Sequence, residues 1–165
     1  MSTVEPWLRG PVPGVINALQ PVAHSLLYAR EQLEKALTRL TPEQIWQRPG
    51  NIAPIGYHVR HAMGSIDRML TYLRGEGLSE VQFEQLRAEK EDRPDLDGAM
   101  LLKQAHGMID RALFVLGEMK EAQLDDPREI GRSKLPSDVR GILFEIAVHT
   151  ARHVGQVATT AKLVA

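Results

Sequence analysis

Apolar residues in the first part of the chain recur at steps of three and four. Val15, Leu19, Val22, Leu26, Ala29, Leu33, Leu37 and Leu40 draw one stripe, as expected of a helix with a single buried face. Pro21 falls inside this run and, lacking an N–H, should kink or delay the helix. Thr41, Pro42 and Glu43 read as an N-cap with proline at the first helical position, opening a short turn of helix that Arg48-Pro49-Gly50-Asn51 breaks. A second stripe, Ile55, Val59, Ala62, Ile66, Met69 and Leu73, predicts a helix from about Ala53 to Arg74, stopped by Gly75-Glu76-Gly77. A charged connection runs from Ser79 to Asp97, with room for its own short helix before Pro94. Leu102, His106, Ile109, Leu113 and Leu116 place a third long helix over roughly Gly98 to Lys120. After a connection carrying Pro127, Gly131 and Pro136, Ser137 is expected to cap a last helix that begins at Asp138 and runs nearly to Ala165.

No segment alternates apolar and polar positions with β-branched enrichment, so no sheet is expected. Four amphipathic helices of about 20 residues can each bury a stripe only against one another. The fold class is therefore all-α, a four-helix bundle. At 165 residues the chain has the length of one domain, so a single helical-bundle domain over residues 1–165 is expected. The connections before the third and fourth long helices exceed what a tight helical hairpin needs. Crossovers are thus expected, although periodicity does not say where.

Composition removes several function classes. The formal net charge is −1 and the basic residues are scattered among acidic ones, so there is no cationic stripe for phosphate and nucleic acid is not an expected partner. Cysteine is absent. That excludes a disulfide framework and a thiolate metal site, and any reactive thiol must come from a cosubstrate. No apolar run approaches the roughly 18 residues that span a bilayer, and the first twenty residues lack a signal-peptide core. No membrane association and a cytoplasmic location are expected.

The chemistry lies in the histidines. On the last helix Ile142, Ile146, His149, His153, Val157, Thr160 and Val164 share one stripe. Residues four apart are turned only about 40° from each other, so His149 and His153 project from the same core-facing side. A buried imidazole left unpaired costs about 1–3 kcal/mol. Either carboxylates or carbonyls across the bundle satisfy each ring, or the pair shares a metal ion. A second cluster, His58 and His61, flanks the apolar stripe of the second helix, and periodicity does not choose between them. Imidazoles suit zinc, nickel, copper or iron better than magnesium or calcium. Glu145, one turn before His149, could orient that ring or serve as a fourth ligand. His106 could border the same cavity or be a satisfied core histidine, and His24 is read as structural. Asp67 and Arg68 are read as ordinary helix surface. Gln156 could donate a hydrogen bond in the cavity, and Gly155 is expected to let a neighbouring helix approach. Trp7 and Trp46 are read as packing or dimer contacts.

The runs IGYHVRHAMGSIDRML and HTARHVGQVATTAKL, with WQRPGNIAPIGYHVRH leading into the first, resemble the two signature regions of the DinB/YfiT-like superfamily. The second region, two histidines four apart followed by Val-Gly-Gln, is the more specific. The resemblance implies an up-down-down-up four-helix bundle, commonly a homodimer, in which three histidines hold one divalent metal. It selects His61, three residues before Gly64, as the ligand on the second helix, with His149 and His153 as the other two. One divalent transition metal (zinc, nickel or iron) is then the expected cofactor.

Three neutral nitrogen ligands leave the ion its charge and an open position, as in catalytic rather than structural sites. That position can activate a water for hydrolysis or a thiol as nucleophile. Some members of the superfamily are S-transferases that join a low-molecular-weight thiol to an electrophile. The leading expectation is therefore a metal-dependent transferase of detoxification or stress response, acting on a small-molecule substrate with a thiol cosubstrate. A metal-dependent hydrolase and a non-catalytic metal- or ligand-binding stress protein are the alternatives.

Overall fold

The computed structural model describes residues 4–165. Four long helices build it: α1 (Gln20–Leu37), α3 (Ile55–Leu73), α5 (Gly98–Glu118) and α6 (Val139–Val164). Two short helices, α2 (Pro42–Trp46) and α4 (Glu80–Ala88), lie in the connections. Pro21 takes one of the first two positions of α1, where its missing N–H costs nothing. The first helix thus begins near Pro21, and Val15 lies before it. Thr41 caps α2 through a reciprocal pair with Gln44, and Ser79 and Gln82 repeat that device at α4. Asp97 caps α5. The cap of α6 is Asp138, whose carboxylate accepts the Gly141 N–H at 2.7 Å, and not Ser137.

The helices form a closed ring in which α6 packs on α1 and α3, and α5 packs on the same two from the other side. Cross-helix contacts give the directions. His106 of α5 approaches Glu34 of α1 while Arg30 pairs with Asp110, so α1 and α5 are antiparallel. Asp67 of α3 pairs with Arg111, beyond a cavity where Met63 and Gly64 face Gln104 and Met108, so α3 and α5 are parallel. His58 meets His153 and His61 meets His149, so α3 and α6 are antiparallel. The bundle is therefore up-down-down-up, with α1 and α3 on a diagonal.

One apolar core runs through all four helices, with Leu26, Leu33, Ile55, Ile66, Leu101, Ile109 and Ile142 among its buried members. The core face of α5 is set by Leu101, Ala105, Ile109, Ala112 and Leu116, a small rotation from the expected stripe. Leu102, His106 and Leu113 sit at its margin, half-buried. Two alanines on the inward line leave space for the larger side chains opposite. Gly98 serves the same end, since a Cβ there would lie 2.7 Å from the Leu37 carbonyl oxygen.

A two-stranded antiparallel hairpin, β1 (Pro127–Ile130) and β2 (Leu135–Asp138), leads directly into α6. This corrects the expectation of no sheet. Each strand has only four residues, too few for alternation to register, and the turn holds Gly131 and Lys134 at positive φ. Arg128 ties the hairpin to the end of α3 by donating to the Leu73 carbonyl at 2.6 Å.

Candidate metal centre

Where α3 faces α6, three imidazoles converge. Ring nitrogens of His61, His149 and His153, one from each, all lie within 4.8 Å of one another. The ring centroids are 4.5 Å apart for His149 and His153, 4.7 Å for His61 and His153, and 5.1 Å for His61 and His149. His58, one turn before His61, does not join this triplet. Its Nδ1 lies 3.0 Å from Nδ1 of His153, so one of these two rings donates to the other.

That bond leaves Nε2 of His153 buried with no partner, and Nδ1 of His149 is buried and unpartnered as well. Two orphaned ring nitrogens at one place cost about 1–3 kcal/mol each unless something satisfies them. A shared cation does so. Burial, reinforced by the neighbouring imidazoles, pushes the His153 pKa down to about 3. Burial, followed by His61 and the Arg152 and Arg68 guanidiniums, pushes His149 down to about 4. Burial also lowers His58, with His61 adding to it. At neutral pH these rings are uncharged, the form that a metal requires, and His153 has its lone pair on Nε2 when its Nδ1 is the donor to His58. The donor set fits a divalent transition metal and offers nothing to a calcium site.

The surroundings hold the rings in place. Tyr57 stacks on His61, with the planes 7° from parallel and the centroids 5.4 Å apart. Nδ1 of His61 lies 2.7 Å from Oε2 of Glu89. Arg68 donates to the other oxygen of that carboxylate at 2.5 Å, and both residues are buried. Gly64 makes the space, because a Cβ there would overlap Glu89 Oε1.

Neither partner of this ion pair was legible in the sequence. Glu89 caps the C-terminus of α4, a helix with no buried residue of its own, and a carboxylate in a charged connection carries no periodic signal. Arg68 is buried and is not the surface residue expected of it. The available signal was Gly64, a glycine in mid-helix that lowers helix propensity for no local reason. Asp67 pairs with Arg111 and accepts from Gln82.

The remaining candidates fall elsewhere. Glu145 is exposed and makes no hydrogen bond or ion pair with the three histidines. His106 lies 3.1 Å from Glu34 at the α1–α5 contact, away from the triplet. Nε2 of His24 sits 3.0 Å from the Gly10 carbonyl oxygen. Gln156 is exposed. No atom lies within 4 Å of a Cβ built on Gly155, so that glycine accommodates no neighbouring helix. The close approach is at Gly56, where a Cβ would run into the Trp46 ring. Trp46 is buried and donates to the Leu96 carbonyl at 2.9 Å. Trp7 is exposed.

Among the described residues, no helix is long and apolar enough to cross a membrane. No curated protein matches the chain. Solved structures share its fold, among them the following two. One is a conserved protein from Enterococcus faecalis, 20% identical with a TM-score of 0.71, covering 90% of this chain and 98% of its own. The other is YfiT from Bacillus subtilis, described as a "probable metal-dependent hydrolase with an unusual four-helix bundle topology". It is 16% identical with a TM-score of 0.64, covering 93% of this chain and 92% of its own. The sequence matches the DinB superfamily over residues 25–157, so the chain belongs to that superfamily.

Proposed function

We propose that this protein is a metal-dependent enzyme whose single divalent transition metal is held by His61, His149 and His153, and that it joins a low-molecular-weight thiol to a small electrophile. The observation that carries the metal reading is the pair of buried, unpartnered nitrogens, His149 Nδ1 and His153 Nε2, in a triplet whose donor atoms lie within 4.8 Å. A divalent ion with an open position supplies Lewis acidity, lowering the pKa of a thiol or water that occupies that position.

The chain's own part is to present neutral nitrogens, hold their rings and leave room for a substrate. One feature favours a thiol over water. The carboxylate that touches the triplet, Glu89, has both oxygens engaged by Arg68 and His61, and Glu145 stands apart. Hydrolysis of an amide or ester also calls for a group to pass a proton to the leaving group, whereas a thiol, with an ordinary pKa of about 8.5, needs only the ion to become a thiolate.

The test is to incubate metal-loaded protein with several bacterial thiols and monochlorobimane, following conjugate fluorescence. Conjugation that is lost in His149→Ala together with the metal is the expected result. Full activity in a metal-free His149→Ala protein sinks the mechanism. Hydrolysis is the second reading, supported by what is said of YfiT, and a panel of amide and ester substrates without thiol separates the two. A site that binds metal but turns over neither class points to a binding protein in stress response. We further propose a homodimer in solution, to which the exposed Phe144 and Val148, one turn apart on α6, contribute apolar surface.

A further inference from the structure

We infer that Glu89 is a positioning residue for the candidate metal centre: it fixes His61 in the tautomer that turns Nε2 to the cation, and Arg68 and Gly64 exist to hold it there. This rests on the metal reading above and names a residue set outside the three ligands.

A carboxylate held by an arginine can only accept, so the 2.7 Å contact requires the proton of His61 to sit on Nδ1. Nε2 is thereby left as the lone-pair nitrogen. The same contact polarises the ring and makes it a better donor to a cation. Arg68 prevents the carboxylate from turning away, with contacts of 2.5 and 3.4 Å to its two oxygens.

The arrangement is costly if it has no task. Burying an ion pair forfeits hydration that its Coulomb energy does not fully return, and a glycine in the middle of α3 weakens the helix. Packing α4 does not explain it either. That helix buries no residue of its own and is held by polar links such as Arg60 to the Ala88 and Glu91 carbonyls and Gln82 to Asp67. Each of those links could hold the segment without a carboxylate aimed at an imidazole.

Three variants test the inference: Glu89→Gln, isosteric and able to keep one contact to Arg68; Gly64→Ala, which leaves the carboxylate chemically intact but pushes it aside; and Glu80→Gln, which breaks an exposed ion pair on the same helix as a control. Zinc affinity is measured by competition with a chelator, and the His61 tautomer by ¹⁵N NMR of the imidazole in metal-free protein. Far-UV circular dichroism confirms the fold in each case. Glu89→Gln and Gly64→Ala are expected to weaken zinc binding about 10- to 100-fold and to shift His61 away from the Nδ1-protonated form, with Glu80→Gln unchanged. If wild-type protein binds zinc and both site variants bind it within twofold while folded, the inference is wrong and the metal reading stands. If wild-type protein binds no zinc, nickel or iron, the metal reading itself falls and takes the inference with it.

Discussion

Two of the three rings at the centre lean on a neighbour. His153 leans on His58, and His61 leans on Glu89. Replacing His153 or His149 by alanine should abolish stoichiometric metal in purified protein, read by elemental analysis, whereas His58→Ala should weaken binding without abolishing it. The depressed pKa values of His149, about 4, and His153, about 3, also bear on stability. In the unfolded chain both rings titrate near 6.5. Between that pH and about 4 the unfolded state therefore binds more protons than the native one, and stability falls as pH falls. Metal-free protein should melt at progressively lower temperature from pH 7 to pH 4. A His149→Leu/His153→Leu protein should show a shallower dependence in the same chelator-treated melts, and equal slopes would mean that these rings are not buried as neutral imidazoles.

Helix patterning reports which residues face inward, so the four long helices, the short α2 and the inward His149–His153 pair are all legible from residue spacing alone. Capping is less so. Ser137 and Asp138 are adjacent and both suit an N-cap, and only the backbone at Asp138, with φ −140° and ψ 176°, picks the second. The β-hairpin escapes because four-residue strands are shorter than the period needed to recognise them. Glu89 escapes for a different reason: its partners are on another helix, and contact across a bundle leaves no trace in local spacing. Gly56 shows how tightly the elements fit. Gly56→Ala would drive a methyl into the Trp46 ring, and overpacking of this kind should cost about 1–3 kcal/mol, seen as a lower denaturant midpoint with an unchanged slope. Asp138→Ala removes the cap of α6 and should cost about 1 kcal/mol by the same measurement.

The whole molecule should respond to metal as to any ligand that binds only the folded state. At a free metal concentration one hundred times Kd the gain is about 2.7 kcal/mol, or about 5–11 °C in melting temperature for a chain of this size. A chelator should return the melt to its metal-free position, and the absence of any shift with zinc, nickel or iron would remove the basis for a catalytic centre. The up-down-down-up path has a further consequence in time. His61 and His149 are separated by more than half the chain, with both long connections and α5 between them, and contacts so distant in sequence form late. A nascent polypeptide still lacking its last helix has only one of the three proposed ligands, His61. On the metal reading, a loaded centre would form only once α6 has been made, and the ion would join the fold at its last step.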